Sequence, residues 1–462
     1  MTTGDMRVVV IGAGLAGLTA AVDLATAGAE VTVLEARERV GGRVHGVPMS
    51  PTVVADGGAA YLGVRHTELL TMLRENGLRL ASTEMLGDST FLLSDTRTTA
   101  ASRVPPLDAV ALGDLFDRLE GLVAEVCPDA PWTSARADYL DGMTVAQWVA
   151  EEIEHPAARA FFPMFIGEMM AADPALISVL HMAFYLRSGG GIRFLNAFKG
   201  GAQEWRIDGG AHQLCEALAR RLDSRVRLAR EVRAVEQSGS DVVVHAVSTA
   251  DGSTSEHRAD YVVVALPPRL AQQIEFRPGL TAPRATVATG RGCAVKVHLS
   301  YPSPLWRDHG LSGWSVSADG PLLSTVDDSP ADGSAGILTG FVTGAAAGPF
   351  SRLSLPAKAD AVLAHARRLF PQLPAPTKCS VTDWLEDRYS KGCYAALFGP
   401  GDWMRLGPTL TEPHGRVHWA GTETSLEFFG LMEGAIRSGR RAANELIHGA
   451  DVGADPRKAA AL

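Results

Sequence analysis

The chain has 462 residues, a formal net charge of −9 and a hydrophobic content of 46%, which allows two globular domains with a sizeable core. The negative charge argues against a nucleic acid partner. The lack of an apolar run near ~20 residues argues against a membrane span, and no signal peptide is recognisable. Five scattered cysteines without metal-ligand spacing predict a cytoplasmic protein with no disulfide framework and no metal site.

The stretch from residue 7 to residue 35 has the pattern of a dinucleotide-binding unit. Continuous apolar runs at 7–11 and 31–34 predict two buried parallel strands, and a glycine-rich turn with a helical run separates them. In that turn, Gly12 permits a sharp bend, Gly14 lets the backbone approach a pyrophosphate, and Gly17 lets helix and strand pack closely. The N–H groups of the first helical turn, including that of Ala16, would face the phosphates. Glu35, at the tip of the second strand, would accept hydrogen bonds from ribose hydroxyls.

An extension that a plain nicotinamide-binding unit lacks follows directly. It runs from Arg37 to Gly41, Gly42 and Arg43. Two adjacent glycines allow a close backbone approach, and an arginine suits a pyrophosphate. The segment 35–44 resembles the corresponding segment of the flavin amine oxidase family, which binds FAD.

Elements further along the chain alternate in type. A glycine-dense turn at 56–63 precedes a predicted helix at 68–76, and residues 83–202 are predicted to be mainly helical, with a capping box formed by Thr144 and Gln147. A helix at 210–222 and strands at 226–235, 242–247 and 261–266 follow. Alternating apolar and polar residues at 292–341 predict an antiparallel sheet. A helix at 356–370 and a strand, turn and helix within 416–447 complete the chain.

This order predicts an α/β protein with a discontinuous, Rossmann-like FAD-binding domain and an interleaved substrate domain of antiparallel sheet plus helices. We assign 1–82, 203–288 and 386–450 to the FAD-binding domain, 83–202 and 289–385 to the substrate domain, and 451–462 to a flexible tail. The sequence indicates no particular oligomeric state, a homodimer being one alternative.

The resemblance to flavin amine oxidases extends over nearly the whole chain, through ordered motifs at 56–63, 208–218, 230–235, 265–268, 384–394 and 420–443. It implies a set of FAD contacts beyond the N-terminal cradle: Gly58, Ala59, Ala60, Tyr61, Val232, Cys393, Gly421, Thr422, Glu423, Leu431, Met432 and Ala435. The last three begin a helix whose N-terminal dipole would favour a reduced, anionic flavin. A cysteine at the position of Cys393 is bonded to the flavin in one branch of the family and missing in others, so a covalent link is an open alternative.

Three residues are the predicted catalytic set, namely Lys296, Trp384 and Tyr394. Only six of the 43 basic residues are lysines, so a lysine within an apolar strand is more informative here than elsewhere. The resemblance implies that Lys296 is buried and holds a water near flavin N5. Trp384 and Tyr394 match aromatic positions close to the flavin, with Tyr394 as one wall of a two-walled cage. The other wall matches Leu431, which departs from the family pattern.

The substrate cavity is predicted to contain a glutamine and several apolar residues, namely Gln203, Phe165, Leu195, Phe350 and Leu431. Glu168 is placed beside them as a carboxylate that could pair with a second amine, against the alternative of a solvated or structural carboxylate.

The expected reaction is oxidation of a primary aryl-alkyl or alicyclic monoamine by FAD, with hydride transfer from the α-carbon to flavin N5. Hydrolysis of the imine and reduction of O2 to H2O2 would follow. Burial of the amine favours its reactive neutral form without a protein base. An L-amino-acid oxidase is an alternative that requires an arginine for the carboxylate, and Arg65 is the candidate. The other two alternatives are a polyamine oxidase and a flavin-binding scaffold without turnover.

Overall fold

In the computed structural model, the described residues are 6–83, 85–93, 95–286 and 288–449. The predicted tail at 451–462 lies outside these ranges. The helices are α1 (Leu15–Thr26), α2 (Thr67–Glu75), α3 (Ala109–Glu125), α4 (Ala137–Gly142), α5 (Val145–Glu152), α6 (Pro156–Met170), α7 (Val179–Ser188), α8 (Ile192–Asn196), α9 (His212–Leu222), α10 (Pro268–Ala271), α11 (Ala347–Ser351), α12 (Leu355–Leu369), α13 (Asp402–Leu406) and α14 (Met432–Gly449). Short 3-10 helices span Pro131–Thr133, Asp223–Arg225, Arg307–His309, Gly344–Ala346, Gly407–Thr409 and Thr422–Thr424.

The strands are β1 (Arg7–Ile11), β2 (Glu30–Leu34), β3 (Gly46–Pro48), β4 (Val54–Asp56), β5 (Tyr61–Leu62), β6 (Leu80–Ser82), β7 (Asp88–Leu93), β8 (Thr96–Ala100), β9 (Trp205–Ile207), β10 (Val226–Arg227), β11 (Arg230–Ser238), β12 (Asp241–Ser248), β13 (Thr254–Ala259), β14 (Tyr261–Val264), β15 (Glu275–Arg277), β16 (Gly290–Arg291), β17 (Ala294–Tyr301), β18 (Leu311–Ser317), β19 (Ser324–Asp327), β20 (Gly336–Thr343), β21 (Lys378–Asp383), β22 (Ala396–Leu397) and β23 (Val417–Trp419). The sheets are therefore parallel in part and antiparallel in part.

The chain divides into two compact units. Unit 1 contains the described residues of Met1–Gly42, Leu214–Val287 and Thr409–Leu462, and unit 2 contains those of Arg43–Gln213 and Ala288–Pro408. These limits differ from the proposed domain limits, because 43–82, 203–213 and 386–408 belong to unit 2. A compact unit is defined by packing and a functional domain by its ligand, so the domain assignment by function stays a prediction.

Unit 1 is built on a parallel sheet with the order β10-β2-β1-β14-β23. Strands β1, β2 and β14 consist mainly of buried apolar residues, as is typical of a parallel sheet that is covered on both faces. A second sheet, β13-β12-β11-β15, shares a core with one face, in which Val9 and Val262 join Val235 and Val244. Helices α1 and α14 pack closely together, and a side chain at Gly439 would stand 2.4 Å from the Ala16 carbonyl oxygen.

Unit 2 contains a seven-stranded sheet with the order β21-β17-β20-β19-β18-β7-β8. The interior strand β17 pairs antiparallel with both β20 and β21. Both of its faces are covered, so seven of its eight residues are buried. Helix α12 closes one side of a core that includes Val295, Trp306 and Phe350. Helices α3 to α8 follow one another in this unit, which also contains α2, α11 and α13 and three small sheets, β5-β9-β6, β3-β4 and β16-β22.

Most predicted elements are present, and three local details differ from the sequence analysis. The capping box of Thr144 and Gln147 is confirmed at the start of α5. The block 83–202 is mainly helical, as predicted, but β7 and β8 pair with each other at its start, where threonines favour strand. The strand predicted at 226–235 is two strands, since Ala229 adopts a φ of +53° between them. Strand β13 was missed because it is an edge strand of mostly polar residues.

None of the helices in the described ranges has the length and hydropathy that a membrane crossing requires. Within the same ranges, no group of three or more His, Cys, Asp or Glu side chains is arranged to hold a metal ion.

Candidate active site

The N-terminal turn of unit 1 has the geometry of a phosphate cradle. Gly12 adopts a φ of +100°, which other residues rarely tolerate. A Cβ atom at Gly17 would stand 2.0 Å from the Gly12 carbonyl oxygen, so close packing of α1 on β1 requires glycine there. A Cβ atom at Gly14, in contrast, would meet no protein atom within 4 Å. Glycine at position 14 is therefore not required by the protein's own packing, which leaves room for a ligand to approach the backbone.

The N-terminus of α1 fits an anion. Its N-cap is Gly14, and no side chain in the described part of the chain caps it. The N–H groups of the first turn, which includes Ala16, are thus oriented for a ligand, and the helix dipole favours negative charge there. These features fit the pyrophosphate of a dinucleotide.

Glu35 is buried at the end of β2 and stabilises the same turn. Its Oε2 atom accepts a hydrogen bond from the Ala13 N–H at 2.8 Å, and its Oε1 atom accepts one from the Arg37 N–H at 2.9 Å. The Arg37 guanidinium lies 3.6 Å from Oε1. A carboxylate has about four acceptor sites, so these contacts leave capacity for the ribose hydroxyls that the sequence predicts.

The glycine pair after β2 lies against the cradle. The Gly41 N–H donates to the Ala13 carbonyl at 2.8 Å. Gly42 adopts a φ of +56°, and a Cβ atom added to it would stand 3.4 Å from Gly14 Cα. The sequence indicates that these two glycines allow a close backbone approach. In the structure, the backbone that they approach is the glycine turn at residues 12–17.

A second glycine turn, at residues 56–58 of unit 2, is bound by two of the predicted catalytic residues. The Lys296 ammonium donates to the carbonyl oxygens of Asp56 at 2.7 Å and Gly58 at 3.0 Å. The Trp384 indole N–H donates to the intervening Gly57 carbonyl at 2.8 Å. All three carbonyls of the turn thus have a side-chain donor. We refer to Lys296, Trp384 and residues 56–58 as the turn clamp.

The geometry of the turn clamp requires glycine at position 58. A Cβ atom there would stand 1.9 Å from the Arg43 carbonyl oxygen and 3.2 Å from the Trp384 ring. The Ala59 N–H donates to the same Arg43 carbonyl at 3.1 Å, and Ala60 beside it is buried. The turn is therefore a rigid, side-chain-poor surface.

Lys296 is 5% exposed and lies between two aromatic rings. Its Nζ atom is 5.7 Å from the Tyr61 ring centroid and 5.2 Å from that of Phe341. Burial lowers the pKa of the Lys296 ammonium, while the carboxylates of Asp328 and Asp56 raise it. The alternative of a surface lysine on β17 is wrong, since both faces of this strand are covered.

Charged residues of unit 2 surround the turn clamp. Burial raises the pKa of Asp56 to about 6, and its Oδ1 atom accepts the Ala211 N–H at 2.8 Å. The Tyr61 hydroxyl donates to the Asp328 carboxylate, at 3.0 and 3.1 Å from its two oxygens. The Arg206 guanidinium lies 3.6 Å from the same carboxylate. The buried lysine is thus compensated by charge as well as by carbonyl dipoles.

Cys393 and Tyr394 lie in a buried segment joined by a cis peptide. The segment packs so closely on Gly292 that a Cβ atom there would stand 2.3 Å from the Cys393 carbonyl oxygen. The Arg43 guanidinium donates to the Tyr394 carbonyl at 2.8 Å. The Tyr394 hydroxyl donates to the Glu168 carbonyl at 3.3 Å, and burial raises the pKa of this phenol well above its ordinary value.

A cavity of about 450 Å³ in unit 2 includes some of the predicted substrate residues. Phe165, Glu168 and Gln203 are in its wall. The Gln203 amide N–H donates to the Leu195 carbonyl at 3.1 Å, so Leu195 supports the wall without lining the cavity. The prediction for Phe350 was wrong, because this ring belongs to the hydrophobic core between α12 and the sheet.

Sequence reasoning missed much of the cavity wall. Its other aromatic members are Phe116, Phe161, Phe198 and Trp314. Phe161 and Phe165 are four residues apart on α6, and their ring centroids are 5.8 Å apart. That spacing puts both on one face of a helix and was a usable signal. Trp314 offered none, because its role depends on how β18 pairs.

Glu168 is not a solvated carboxylate. Its Oε1 atom accepts a hydrogen bond from the Ser324 hydroxyl at 2.6 Å. Its Oε2 atom is buried and has no hydrogen-bond partner among the described residues. Burial raises the pKa of this carboxyl to about 7, although the hydrogen bond from Ser324 lowers it.

The C-terminal motif of unit 1 is held by its own hydrogen bonds. Gly421 adopts a φ of +125°, and its N–H donates to the Ser438 hydroxyl at 3.0 Å. The Thr422 hydroxyl donates to the Leu431 carbonyl at 3.0 Å, immediately before α14 begins at Met432. Other residues of the predicted cofactor set are also placed in unit 1: Glu423 is buried beside Thr422, Ala435 lies in the first turn of α14, and Val232 lies at an irregularity of β11.

Arg65 does not have the geometry of a carboxylate clamp. Its guanidinium donates to the Gly190 carbonyl at 2.8 Å and lies 5.0 Å from the centroid of the Phe194 ring. It is absent from the wall of the cavity. This placement weighs against the amino-acid oxidase alternative.

Comparison with known proteins agrees with the class of protein that the cradle and the turn clamp indicate. The family model for flavin-containing amine oxidoreductases matches residues 15–447. The chain therefore belongs to the flavin-containing amine oxidase family and is an oxidoreductase that acts on amines.

Individual relatives cover nearly the whole chain. A probable flavin-containing monoamine oxidase A of Dictyostelium discoideum is 32% identical over 448 residues, covering 95% of this chain and 97% of the relative. The structure of wild-type putrescine oxidase bound to putrescine is 29% identical with a TM-score of 0.89, covering 96% of this chain and 99% of the other. Cyclohexylamine oxidase from Brevibacterium oxydans is 30% identical with a TM-score of 0.89, covering 97% and 100%.

Proposed function

We propose that the protein is an FAD-dependent oxidase of primary aryl-alkyl or alicyclic monoamines. The observation that carries this proposal is the cavity of about 450 Å³ with its aromatic wall, in the same unit as the turn clamp. Phe161, Phe165 and Trp314 offer an apolar surface to a ring-shaped substrate body. The cyclohexylamine oxidase among the similar structures supports an alicyclic amine.

FAD, when bound, supplies the oxidising chemistry: it accepts a hydride equivalent from the carbon next to the amine and passes the electrons to O2, giving H2O2. In this chain Gly14, Ala16 and Glu35 would hold its ADP part, because the uncapped N-terminus of α1 and the free space at Gly14 fit a pyrophosphate. The predicted contacts on the flavin side, which include Tyr61 and Met432, rest on the family resemblance.

The chain's own contribution to the chemistry is positioning and desolvation. Free alkylamines have a pKa near ~10.4, and removal from water disfavours the charged form. An apolar cavity wall therefore supplies the neutral amine without a dedicated base. The imine that results hydrolyses to an aldehyde or ketone and ammonia.

Lys296 is proposed to orient a water molecule beside the turn clamp. An ammonium has three N–H donors, and the carbonyls of Asp56 and Gly58 accept from two of them. A water molecule would accept a hydrogen bond from the third N–H donor. The rigid hold of the other two fixes the direction of this third donor.

Peroxide release from an amine panel tests the proposal. Benzylamine, phenethylamine and cyclohexylamine are expected to give H2O2 and to bleach the flavin absorbance under anaerobic conditions. Peroxide from α-amino acids alone would establish the amino-acid oxidase alternative, and peroxide from spermine or spermidine alone would establish the polyamine oxidase alternative. If none of these amines or amino acids bleaches the flavin absorbance, the remaining alternative is a flavin-binding scaffold without turnover.

The covalent link to Cys393 is a separate proposal with its own test. Cys393 is buried in the segment that Arg43 and Gly292 hold. If the bond forms, acid-precipitated protein stays yellow, and Cys393→Ala releases the flavin into the supernatant. A colourless wild-type pellet with a yellow supernatant contradicts it. The cytoplasmic location and the homodimer alternative remain predictions, which cell fractionation and light scattering address.

A further inference from the structure

The cavity of unit 2 is mainly apolar, and Glu168 is one of five charged residues in its wall. Its wall is mainly aromatic and aliphatic, and its charged members other than Glu168 are Arg103, Asp117, Glu120 and Arg193. Asp117 and Glu120 on α3 and Arg193 on α8 are exposed. Arg103 donates to the Ser89 hydroxyl at 2.7 Å and to the Gly87 carbonyl at 3.0 Å. These charges are therefore either in contact with water or already bound to unit 2.

Glu168 differs from all of them because one of its oxygens is buried without a partner. Ser324 satisfies Oε1, and the Tyr394 hydroxyl donates to the backbone carbonyl of Glu168 rather than to its carboxyl. Within the described residues, Oε2 accepts no hydrogen bond. A buried polar atom without a partner is unfavourable, and a ligand with a donor at the right place would offset that cost.

We propose that Glu168 is a specificity-determining residue that binds an N–H or O–H donor at the far end of the amine substrate. The favoured class is a primary amine with an aromatic or aliphatic body that carries a hydroxyl or a second amino group. This inference rests on the proposed function and narrows its substrate class. The aromatic wall takes the body of the substrate, and the Oε2 atom takes the donor.

The test compares matched amines that differ in this donor alone. Tyramine is compared with phenethylamine, and 1,6-diaminohexane with hexylamine, as ratios of kcat/KM. The variants are Glu168→Leu and Glu168→Gln. Glu120→Leu is the matched control, because it removes the same kind of side chain from the exposed rim of the same cavity. Flavin content and melting temperature are measured for each variant.

In the wild type, each donor-bearing amine is expected to exceed its partner about tenfold, which corresponds to about 1.4 kcal/mol. Glu168→Leu abolishes both preferences, mainly through KM, and Glu120→Leu preserves them. Glu168→Gln keeps an acceptor for the hydroxyl, so it retains the tyramine preference and loses the diamine preference. If Glu168→Leu does not fold, Glu168→Gln decides the question, because the inference requires it to keep the tyramine preference and to lose the diamine preference.

The pH dependence separates the two donor types. Burial raises the pKa of Glu168 to about 7, so the carboxyl is ionised above that pH and attracts the distal ammonium of a diamine. Of the neighbouring groups, the Tyr394 phenol stays neutral because its pKa lies well above 10. The diamine preference is therefore expected to rise as the pH increases through 7, while the tyramine preference persists on both sides.

Two results overturn the inference in distinguishable ways. Peroxide from all four amines with ratios near one, or equal ratios in the wild type and Glu168→Leu, removes Glu168 as a recognition residue and leaves the proposed function intact. No peroxide and no flavin bleaching from any amine removes the proposed function as well.

Discussion

Replacement of Lys296 by methionine tests the turn clamp most directly. Methionine has a similar length and no N–H donor, so the carbonyls of Asp56 and Gly58 lose the partners that now lie 2.7 and 3.0 Å away. Each buried carbonyl left without a donor costs about 1–3 kcal/mol. Removal of a buried charge offsets part of this, since burial already lowers the pKa of the ammonium. The expected net loss of unfolding free energy is about 2 kcal/mol.

The matched control is Lys358→Met. Lys358 is also buried, on α12, where its ammonium contacts the Asp383 carboxylate at 2.7 Å. Its removal leaves a carboxylate without its cation, at a cost of about 3 kcal/mol. Urea unfolding is measured for both variants, with and without FAD, together with the flavin absorbance spectrum and turnover on an amine that the wild type oxidises.

Lys296→Met is expected to change the flavin spectrum and to lower turnover more than tenfold, whereas Lys358→Met is expected to affect stability alone. A Lys296→Met protein as stable as the wild type would refute the hydrogen-bond reasoning. Equal stability losses in the two variants, with wild-type spectrum and turnover in both, would refute the role of Lys296 at the flavin.

Three further predictions concern the cradle, the cavity and the core. Gly14→Ala should leave the melting temperature of the FAD-free protein within a few degrees of wild type and weaken FAD binding, because its Cβ meets no protein atom within 4 Å. Gly17→Ala should prevent folding, because its Cβ would stand 2.0 Å from a backbone oxygen. Equal melting temperatures of the two variants would contradict this prediction. The raised pKa of Glu168, about 7 against 4.5 in the unfolded chain, predicts a stabilising contribution that is complete below pH 4.5 and lost as the pH rises through 7, worth up to about 3 kcal/mol. In urea titrations from pH 4.5 to 8, the free energy of unfolding of the wild type should therefore fall relative to that of Glu168→Gln as the pH rises from 4.5 to about 7, and parallel curves or the opposite trend count against the shift. Phe350→Ala should cost about 3–5 kcal/mol without changing KM, while Phe165→Ala should raise KM severalfold at a smaller cost in stability; a raised KM in Phe350→Ala would return that ring to the cavity.

Prediction from sequence agreed with the structure where a residue's surroundings depend on short-range backbone geometry. Gly12, Gly14 and Gly17 were assigned three different roles, and their surroundings differ accordingly: a positive φ, open space, and a backbone oxygen 2.0 Å from the missing Cβ. Such roles follow from spacing within one turn, so no knowledge of distant segments is needed. The capping box at Thr144 was predictable for the same reason.

Prediction failed where a side chain's role depends on which face of an element it occupies. Phe350 and Phe165 are both aromatic residues in helical segments, yet the first is in the core and the second is in the cavity wall. Strand alternation would have placed Lys296 at the surface, but β17 is an interior strand of its sheet and is covered on both faces. Composition helped here, since a rare lysine in an apolar strand was already informative.

The amino-acid sequence by itself therefore determined the α/β class, the backbone geometry of the N-terminal glycine turn and the family, because each depends on local spacing and on ordered motifs along one chain. Only the tertiary structure decided that Lys296 and Trp384 bind the same glycine turn, since more than 200 residues separate that turn from either of them. It also decided that one oxygen of Glu168 is buried without a partner, because hydrogen-bond satisfaction depends on every neighbour that folding brings near.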